Sequence, residues 1–228
     1  MSLSSQHVFR NRREAGQFLA EKLARYRHRK DTVVLALPRG GVPVGFEVAR
    51  ALGAPLDVFV VRKLGLPGRS ELAMGAVAGA RTRVLNDQVI EQYGIPAEII
   101  EAATARARRD VERREEIYRA GRPAVDVRSK IAIVVDDGLA TGSTMRAALV
   151  ALRELGPARI VAAVPAGAER SCKELERHAD EVVCASAPAP FYAVGAFYHE
   201  FPQVADSQVR ELLSLADSEH KPARAPSG

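Results

Sequence analysis

The chain of 228 residues is poor in aromatic side chains and cysteine, and these shortages exclude several classes of protein. Aromatic residues make up 5% of the sequence and tryptophan is absent, which is too little for a surface that stacks on many bases. Nucleic acid is therefore not an expected partner. Two cysteines, Cys172 and Cys184, are too few for a disulfide framework or a four-cysteine zinc site. We expect them to be ordinary thiols of a reducing compartment.

The sequence also lacks a long hydrophobic run. No stretch approaches the roughly 20 apolar residues of a membrane span, and the first residues contain no run long enough for a signal peptide. The expectation is a cytoplasmic protein without a membrane partner. The 33 basic and 28 acidic residues give a net charge of +5, which allows an anionic ligand without requiring one.

Short apolar runs without polar alternation indicate the fold class. Such runs are typical of parallel strands that are covered on both faces, and here they alternate with helical patterns. We therefore predict an α/β fold in which helices flank a central parallel sheet of about five strands. The predicted strands are 32–37, 56–61, 131–135, 159–164 and 181–185. The predicted helices are 11–29, 43–52, 96–118, 143–155, 169–178 and 206–216.

Residues 62–87 interrupt this alternation. Glycine, proline and charge concentrate in 62–72, which predicts a mobile loop, and 73–87 predicts two short strands that meet near Gly79. Basic and acidic residues interleave along the long helix 96–118, as on a solvated surface. We interpret the basic first 30 residues in the same way, and we expect the tail 218–228 to be disordered.

One sequence string, VVDDGLATGST, contains the residues that are best suited to bind a ligand. Asp136 and Asp137 directly follow a predicted buried strand, at the strand end where open α/β sheets bind their ligands. Unpaired amides at the start of the next helix, together with the helix dipole, suit a phosphate monoester. The loop offers small or hydroxyl residues for this purpose: Gly138, Ala140, Thr141, Gly142, Ser143 and Thr144.

The two acids would repel a phosphate, so they suit the vicinal hydroxyls of a ribose or the ligand shell of Mg²⁺. A phosphate cradle and an acidic pair side by side indicate a sugar phosphate. The alternative for the acids is a helix cap with a solvated neighbour. A nucleotide-binding P-loop would need a lysine after Gly142, and a dinucleotide fold would need GxGxxG after the first strand; the sequence has neither.

The string resembles the signature of the type I phosphoribosyltransferases, which is a hydrophobic strand, two acids and a small-residue loop. The strings LPRGGVPV, VRKLG and ELAMGAV are similar to a branch of predicted phosphoribosyltransferases of unassigned acceptor. The resemblance implies one domain over residues 1–217 with that family's fold. Its parts would be a core at about 30–187, an inserted hairpin and long helix at about 64–122, and a small hood from about 1–29 and 188–217.

The resemblance also implies an activity. The protein would use Mg²⁺ to transfer phosphoribose from 5-phosphoribosyl 1-pyrophosphate to a nitrogenous base, with release of pyrophosphate. Asp136 and Asp137 would bind the ribose hydroxyls, directly or through Mg²⁺ and water. Residues 140–144 would bind the 5′-phosphate, and Gly138 would also belong to the phosphoribose site. A closing loop within 64–78 would exclude water.

A second group of residues would bind pyrophosphate. Arg39, Gly40 and Gly41 correspond to the family's pyrophosphate loop, which often contains a non-proline cis peptide, here expected between Arg39 and Gly40. Arg62 and Lys63 would neutralise the leaving pyrophosphate, and Lys63 would act in catalysis.

Several alternatives stay open. Glu71 is either a general acid or base or an exposed loop carboxylate. Tyr192 either stacks on the base or joins neighbouring rings in the core. The protein could instead be a non-catalytic regulator that binds the same ligand, and a hydrolase of phosphorylated sugars is a weaker alternative. A homodimer is compatible with all of these.

Overall fold

The computed structural model describes residues 7–66, 69–79 and 82–220, with the side chains of all of these except 69–72. In chain order the strands are β1 (Thr32–Ala36), β2 (Leu56–Val58), β3 (Val61–Leu66), β4 (Arg69–Ala78), β5 (Thr82–Leu85), β6 (Ile131–Val135), β7 (Arg159–Val164) and β8 (Glu181–Cys184). The helices are α1 (Arg12–Lys22), α2 (Gly41–Leu52), α3 (Asp87–Tyr93), α4 (Ala97–Arg119), α5 (Ser143–Arg153), α6 (Glu169–Leu175) and α7 (Asp206–His220). Within these ranges, none of the helices combines the length and the apolar composition that crossing a membrane requires.

Five parallel strands form the central sheet in the order β2-β1-β6-β7-β8. Every residue of β1 and β6 is buried, because helices cover both faces. Val34 and Ile133 join one core with α2, and the alternate residues Val33 and Val134 join another with α5. The predicted α/β fold with a central parallel sheet is confirmed.

A second, antiparallel sheet has the order β3-β4-β5 and corrects the prediction of a mobile loop. β3 and β4 pair from Val61 opposite Ala78 to Leu66 opposite Arg69, across most of the stretch where the loop was expected. The two short strands predicted for 73–87 are present, as the end of β4 and as β5. The apolar side chains of this sheet pack on α4 and α5, and this packing outweighs the local glycine and proline signals.

Some predicted boundaries also change. The apolar run 56–61 is divided, because β2 ends at Val58 in the central sheet and β3 begins at Val61 in the other. The short helix α3 was not predicted. α7 continues to His220, so the prediction of disorder is wrong for 218–220, and residues 221–228 lie outside the described residues.

Residues from distant parts of the chain pack together beside the carboxyl ends of the strands. The amide of Phe9 donates to the carbonyl of Phe197 (2.8 Å), and the amide of His199 donates to the carbonyl of Phe9 (2.9 Å). We call the buried cluster of Phe9, Ala15, Ala166, Phe197 and Tyr198 the hood cluster. It supplies the small hood of the predicted fold, while the domain bounds given above stay a prediction.

The two cysteines are not free thiols, which corrects the expectation from composition. Cys172 of α6 forms a disulfide with Cys184 at the end of β8, and their Cα atoms are 6.4 Å apart. Two cysteines cannot form a framework, but one bridge needs only that the fold bring them within reach. No local pattern in the sequence predicts that proximity.

Candidate functional site

Unpaired amides follow one another along the end of the loop between β6 and α5 and the first turn of α5. Gly142 ends this loop with a left-handed conformation (φ +70°), and its carbonyl accepts the first helical bond, from Arg146. In the part of the chain that the structure describes, the amides of residues 140–145 donate to no protein acceptor. Thr141 and Thr144 are exposed beside them. These amides and the α5 dipole form a cradle suited to an anion.

The same loop is anchored from below by the connection between β7 and α6. The amide of Leu139 donates to the carbonyl of Ala166 (3.0 Å), and the amide of Ala168 donates to the carbonyl of Leu139 (2.8 Å). The Ser171 hydroxyl of α6 donates to the carbonyl of Ala140 (2.5 Å). These bonds fix the loop backbone while its outer amides remain available, as a preorganised anion site requires.

Gly138, the first small residue of the loop, packs directly under the hood. A Cβ atom at this position would overlap with the side chain of Val194, which belongs to the segment that leads to Phe197. The close packing of the Val194 side chain against the loop backbone therefore needs a residue without a side chain at position 138.

Asp136 is bonded by a backbone amide and, among the described residues, not by a basic side chain. The amide of Asp137 donates to its Oδ1 (2.9 Å), and no Lys, Arg or His of the described residues forms a salt bridge with it. Burial raises the pKa of Asp136 well above its usual range, and the neighbouring charge of Asp137 raises it further. A ligand that brings a cation or a hydroxyl donor would therefore relieve an unfavourable carboxylate.

Asp137 is engaged by the protein itself. Arg12 of α1 donates from Nε to Oδ2 of Asp137 (2.8 Å), and both side chains are mostly buried. The same guanidinium donates from Nη1 to the carbonyl of Pro202 (2.7 Å) and lies 3.8 Å from the ring centre of Phe201. Arg12 thus joins the acid to the C-terminal part of the chain.

Tyr198 of the hood cluster holds the backbone of the same acid. Its hydroxyl donates to the carbonyl of Asp137 (2.5 Å). Burial raises the pKa of Tyr198, so the phenol stays protonated and remains a donor at all physiological pH values.

Sequence reasoning missed Arg12. The expectation of a solvated basic surface fits Arg13 and Arg25, whose side chains are largely exposed, but it is wrong for Arg12. The residue precedes Asp137 by 125 positions, and no local pattern marks it.

The loop between β1 and α2 touches the acid pair, because β1 and β6 are neighbours in the sheet. A Cβ atom on Gly40 would overlap with the Asp137 carboxylate, and one on Gly41 would lie 2.6 Å from the carbonyl oxygen of Val135. The non-proline cis peptide joins Pro38 and Arg39, one position before the predicted bond.

Arg39 forms a long ion pair with α7. Its Nη1 atom lies 3.8 Å from Oδ1 of Asp206, at the first residue of that helix. Its side chain is one third exposed, so a ligand could compete with this long ion pair.

Arg62 and Lys63 lie on opposite faces of β3, as consecutive strand residues must. Lys63 faces α5 and donates from Nζ to Oγ of Ser143 (3.2 Å), while the Thr141 hydroxyl lies 3.3 Å from the same oxygen. Arg62 faces α4, where burial and Arg114 lower its pKa. The structure therefore brings Lys63 to the anion cradle and does not place Arg62 beside it.

The described contacts give no support for the roles predicted for Tyr192 and Glu71. Tyr192 is 84% exposed, so it is not a core residue, whereas Phe197 and Tyr198 are buried. Glu71 belongs to β4, and its side chain lies outside those that the structure describes. The roles predicted for Tyr192 and Glu71 stay predictions.

Comparisons with known proteins agree with this geometry. The family model described as "Phosphoribosyl transferase domain" matches residues 8–200. The crystal structure of TT1426 from Thermus thermophilus is 43% identical, with a TM-score of 0.84 over 90% of this chain and 97% of that one.

Two curated relatives come from Mycobacterium tuberculosis, strains CDC 1551 and H37Rv, and each is named a "Putative phosphoribosyl transferase". Both are 44% identical over 218 residues, which is 96% of this chain. The chain spans about half the length of these relatives (49%). From the family model and these identities together, the chain belongs to the phosphoribosyltransferase family, with the type I fold.

Proposed function

We propose that the protein transfers phosphoribose from 5-phosphoribosyl 1-pyrophosphate to a nitrogenous base and releases pyrophosphate. The observation that carries the proposal is the cradle of unpaired amides at residues 140–145 directly beside the acid pair. Free amides at a helix start suit the 5′-phosphate, and Asp136 and Asp137 suit the ribose hydroxyls.

Mg²⁺ fits the acid pair as a cofactor. Asp136 offers a carboxylate that no basic side chain of the described residues neutralises, and oxygen ligands are those that Mg²⁺ prefers. No group of three or more His, Cys, Asp or Glu side chains that could hold a metal occurs in the ranges described above. Most ligands would therefore come from pyrophosphate and water, as is usual for this ion. When bound, Mg²⁺ would offset the negative charge of the leaving group.

The chain's own residues would stabilise the separation of charge. As the bond to pyrophosphate breaks, C1 of the ribose becomes oxocarbenium-like, and negative charge develops on the leaving group. Donors that are already oriented toward that charge accelerate such a step. The proposed donors are the Arg39 side chain and the amides of Arg39 and Gly40, because this loop lies against Asp137 and these two amides donate to no acceptor among the described residues.

Lys63 has two candidate partners in this reaction. Its expected role is to neutralise pyrophosphate, whereas its bond to Ser143 supports a role at the proposed cradle for the 5′-phosphate. Lys63→Ala separates the two roles. A fall in turnover that exceeds the fall in ribose 5-phosphate affinity supports the leaving-group role, and equal losses indicate a 5′-phosphate ligand.

The test is release of pyrophosphate from 5-phosphoribosyl 1-pyrophosphate and Mg²⁺, measured across a panel of purine and pyrimidine bases. We expect turnover with one base, and a loss of about 100-fold or more in Asp137→Asn and Thr141→Ala. Asp126→Asn, at an exposed acid outside the site, is the matched control and should keep full turnover. Tight ligand binding without turnover on any base would contradict the transferase and favour a regulator that binds the same ligand.

Location and assembly complete the proposal. We infer a cytoplasmic protein, and a homodimer is compatible with this proposal. A cytoplasmic location implies that the bond between Cys172 and Cys184 is reduced for much of the time, since disulfides seldom persist in that compartment. Alkylation of free thiols in rapidly quenched cells measures the reduced fraction, and light scattering measures the assembly.

A further inference from the structure

A cavity of about 590 Å³ lies between α5 and the antiparallel sheet. Ser143, Arg146, Ala147 and Val150 form one wall, and their spacing of three, four and seven positions places them on one face of α5. Residues of β3, β4 and β5 and the start of α3 form the opposite wall. The volume falls within the range of small-molecule sites.

Much of the cavity wall is apolar, although Asn86 and Gln88 also line it. The sheet and α3 contribute five short or branched aliphatic side chains, which leave room for a ring or a chain. These residues are Ala73, Ala76, Val84, Leu85 and Val89. None of the residues that line the cavity belongs to the hood cluster or to the acid pair.

Two cations line the same cavity. Among the residues that the structure describes, neither Lys63 nor Arg146 has a carboxylate within salt-bridge distance. Asp87 also lines the cavity, but it lies in the first turn of α3, where the helix dipole already stabilises its charge. Burial and the nearby Arg146 lower the pKa of His178, so this ring is a neutral donor or acceptor. The balance of charge favours an anionic group.

We propose that this cavity is a second ligand site, which binds a small molecule that has an apolar ring or chain and one anionic group. The apolar walls would hold the ring, and Lys63 and Arg146 would bind the anion. The site is separate from the acid pair and does not require the proposed reaction.

The cavity also connects to the anion cradle through one contact. Lys63 donates to Ser143, which begins α5 and adjoins Thr141. A ligand that draws Lys63 into the cavity breaks this bond and alters phosphate binding at the loop. This coupling, unlike the site itself, rests on the proposed function.

The probe is 8-anilinonaphthalene-1-sulfonate, which carries aromatic rings and one sulfonate and whose fluorescence reports transfer from water to an apolar site. The titration is carried out with and without saturating ribose 5-phosphate. We expect Ala147→Phe, which fills the cavity, and Arg146→Gln, which removes the anion partner, to weaken binding by about tenfold or more. Arg177→Gln removes an equal charge from an exposed position near His178 and should change affinity by less than about twofold.

Equal affinities in all four proteins, or an equal loss in the Arg177 variant, would overturn the second site. Because Arg146 is exposed, Arg146→Gln should fold normally, and its probe affinity tests the second site even if Ala147→Phe fails to fold. A crystal soaked with the probe should show the sulfonate within hydrogen-bond distance of Lys63 or Arg146.

The coupling has its own readout, the affinity for ribose 5-phosphate with and without saturating probe. We expect a change of about threefold or more, and no change would overturn the coupling while leaving the site in place. Failure of ribose 5-phosphate to bind at all would contradict the proposed function, and the probe titration would still decide the cavity.

Discussion

The anion cradle and the acid pair are adjacent in the chain, yet they differ in how many hydrogen-bond partners the protein itself provides. The amides of residues 140–145 have no protein acceptor in the described chain, whereas Asp137 already accepts a bond from Arg12 and its carbonyl accepts one from Tyr198. The cradle is thus open before any ligand binds, and the acid is held by residues distant in sequence. A ligand of Asp137 would have to compete with Arg12, whereas an anion at the cradle would meet no such competitor.

The largest expected effect comes from removing the partner of Asp137. Arg12→Ala leaves a mostly buried carboxylate without its cation, and breaking such a pair costs about 3 kcal/mol of unfolding free energy. Urea denaturation measures this loss. Arg13→Ala removes a neighbouring exposed arginine and should cost less than about 1 kcal/mol.

Adding Asp137→Asn to the Arg12 variant should restore part of the lost stability, because no unpaired charge then remains. A loss below about 1 kcal/mol for Arg12→Ala would mean that the acid is not held as described, and the contrast with the cradle would disappear.

The next effect tests the anchor of the cradle. Replacing Cys172 and Cys184 with serine removes a bridge between residues 12 positions apart, which should lower the unfolding free energy by about 2–3 kcal/mol. Ser171, beside Cys172, donates to Ala140, so affinity for ribose 5-phosphate should fall too. Reduction of the wild-type bridge with a dithiol should lower the thermal unfolding midpoint in the same way. An unchanged midpoint in the dithiol would contradict the stabilising role of the bridge.

Asp136→Asn should have a smaller and opposite effect on stability. The raised pKa of Asp136 means that the folded chain binds this proton more tightly than the unfolded chain does, so wild-type stability falls as pH rises between the two pKa values. The asparagine variant avoids this loss and should be more stable at pH 7, by about 0.5–2 kcal/mol.

The difference in unfolding free energy between the Asp136 variant and the wild type should shrink toward pH 4. At that pH the wild-type acid is protonated in the folded state and increasingly protonated in the unfolded state. Denaturation series at several pH values measure it. The same variant should lose ligand affinity. A destabilised variant at pH 7 would show that the carboxylate is satisfied by the protein after all.

The smallest expected effect is at Tyr192. Because its ring is 84% exposed, Tyr192→Ala should change unfolding free energy by less than about 0.5 kcal/mol. If the ring stacks on the base, the variant should weaken base binding by about 1 kcal/mol and leave ribose 5-phosphate affinity unchanged. Unchanged base binding would exclude the stacking role.

The sequence predicted the parts of the molecule that depend on local pattern. The run 131–135 is continuous and β-branched, so its burial on both faces could be anticipated. The small residues up to Gly142 mark a loop that exposes amides, because only such residues leave the backbone accessible. The strands, the cradle and the position of the acids therefore followed from short windows of residues.

What the sequence could not predict depends on distant contacts. Residues 62–72 have the composition of a loop, yet residues 62–66 and 69–72 belong to β3 and β4, because the two strands pair with each other and β3 packs between α4 and α5. Arg12 lies on a basic helix whose neighbouring Arg13 is largely exposed, and nothing nearby marks it as the partner of Asp137. The pairing of Cys172 with Cys184 likewise depends on how α6 docks against β8.

The position of Arg12 has a consequence for biosynthesis. It bonds to residues 125 and 190 positions later in the chain, so Asp137 leaves the ribosome well before Pro202 can complete the contact. Closing so long a loop is entropically unfavourable and belongs to the late steps of folding. A nascent chain that stalls before Pro202 would therefore carry a folded sheet in which Asp137 is incompletely held.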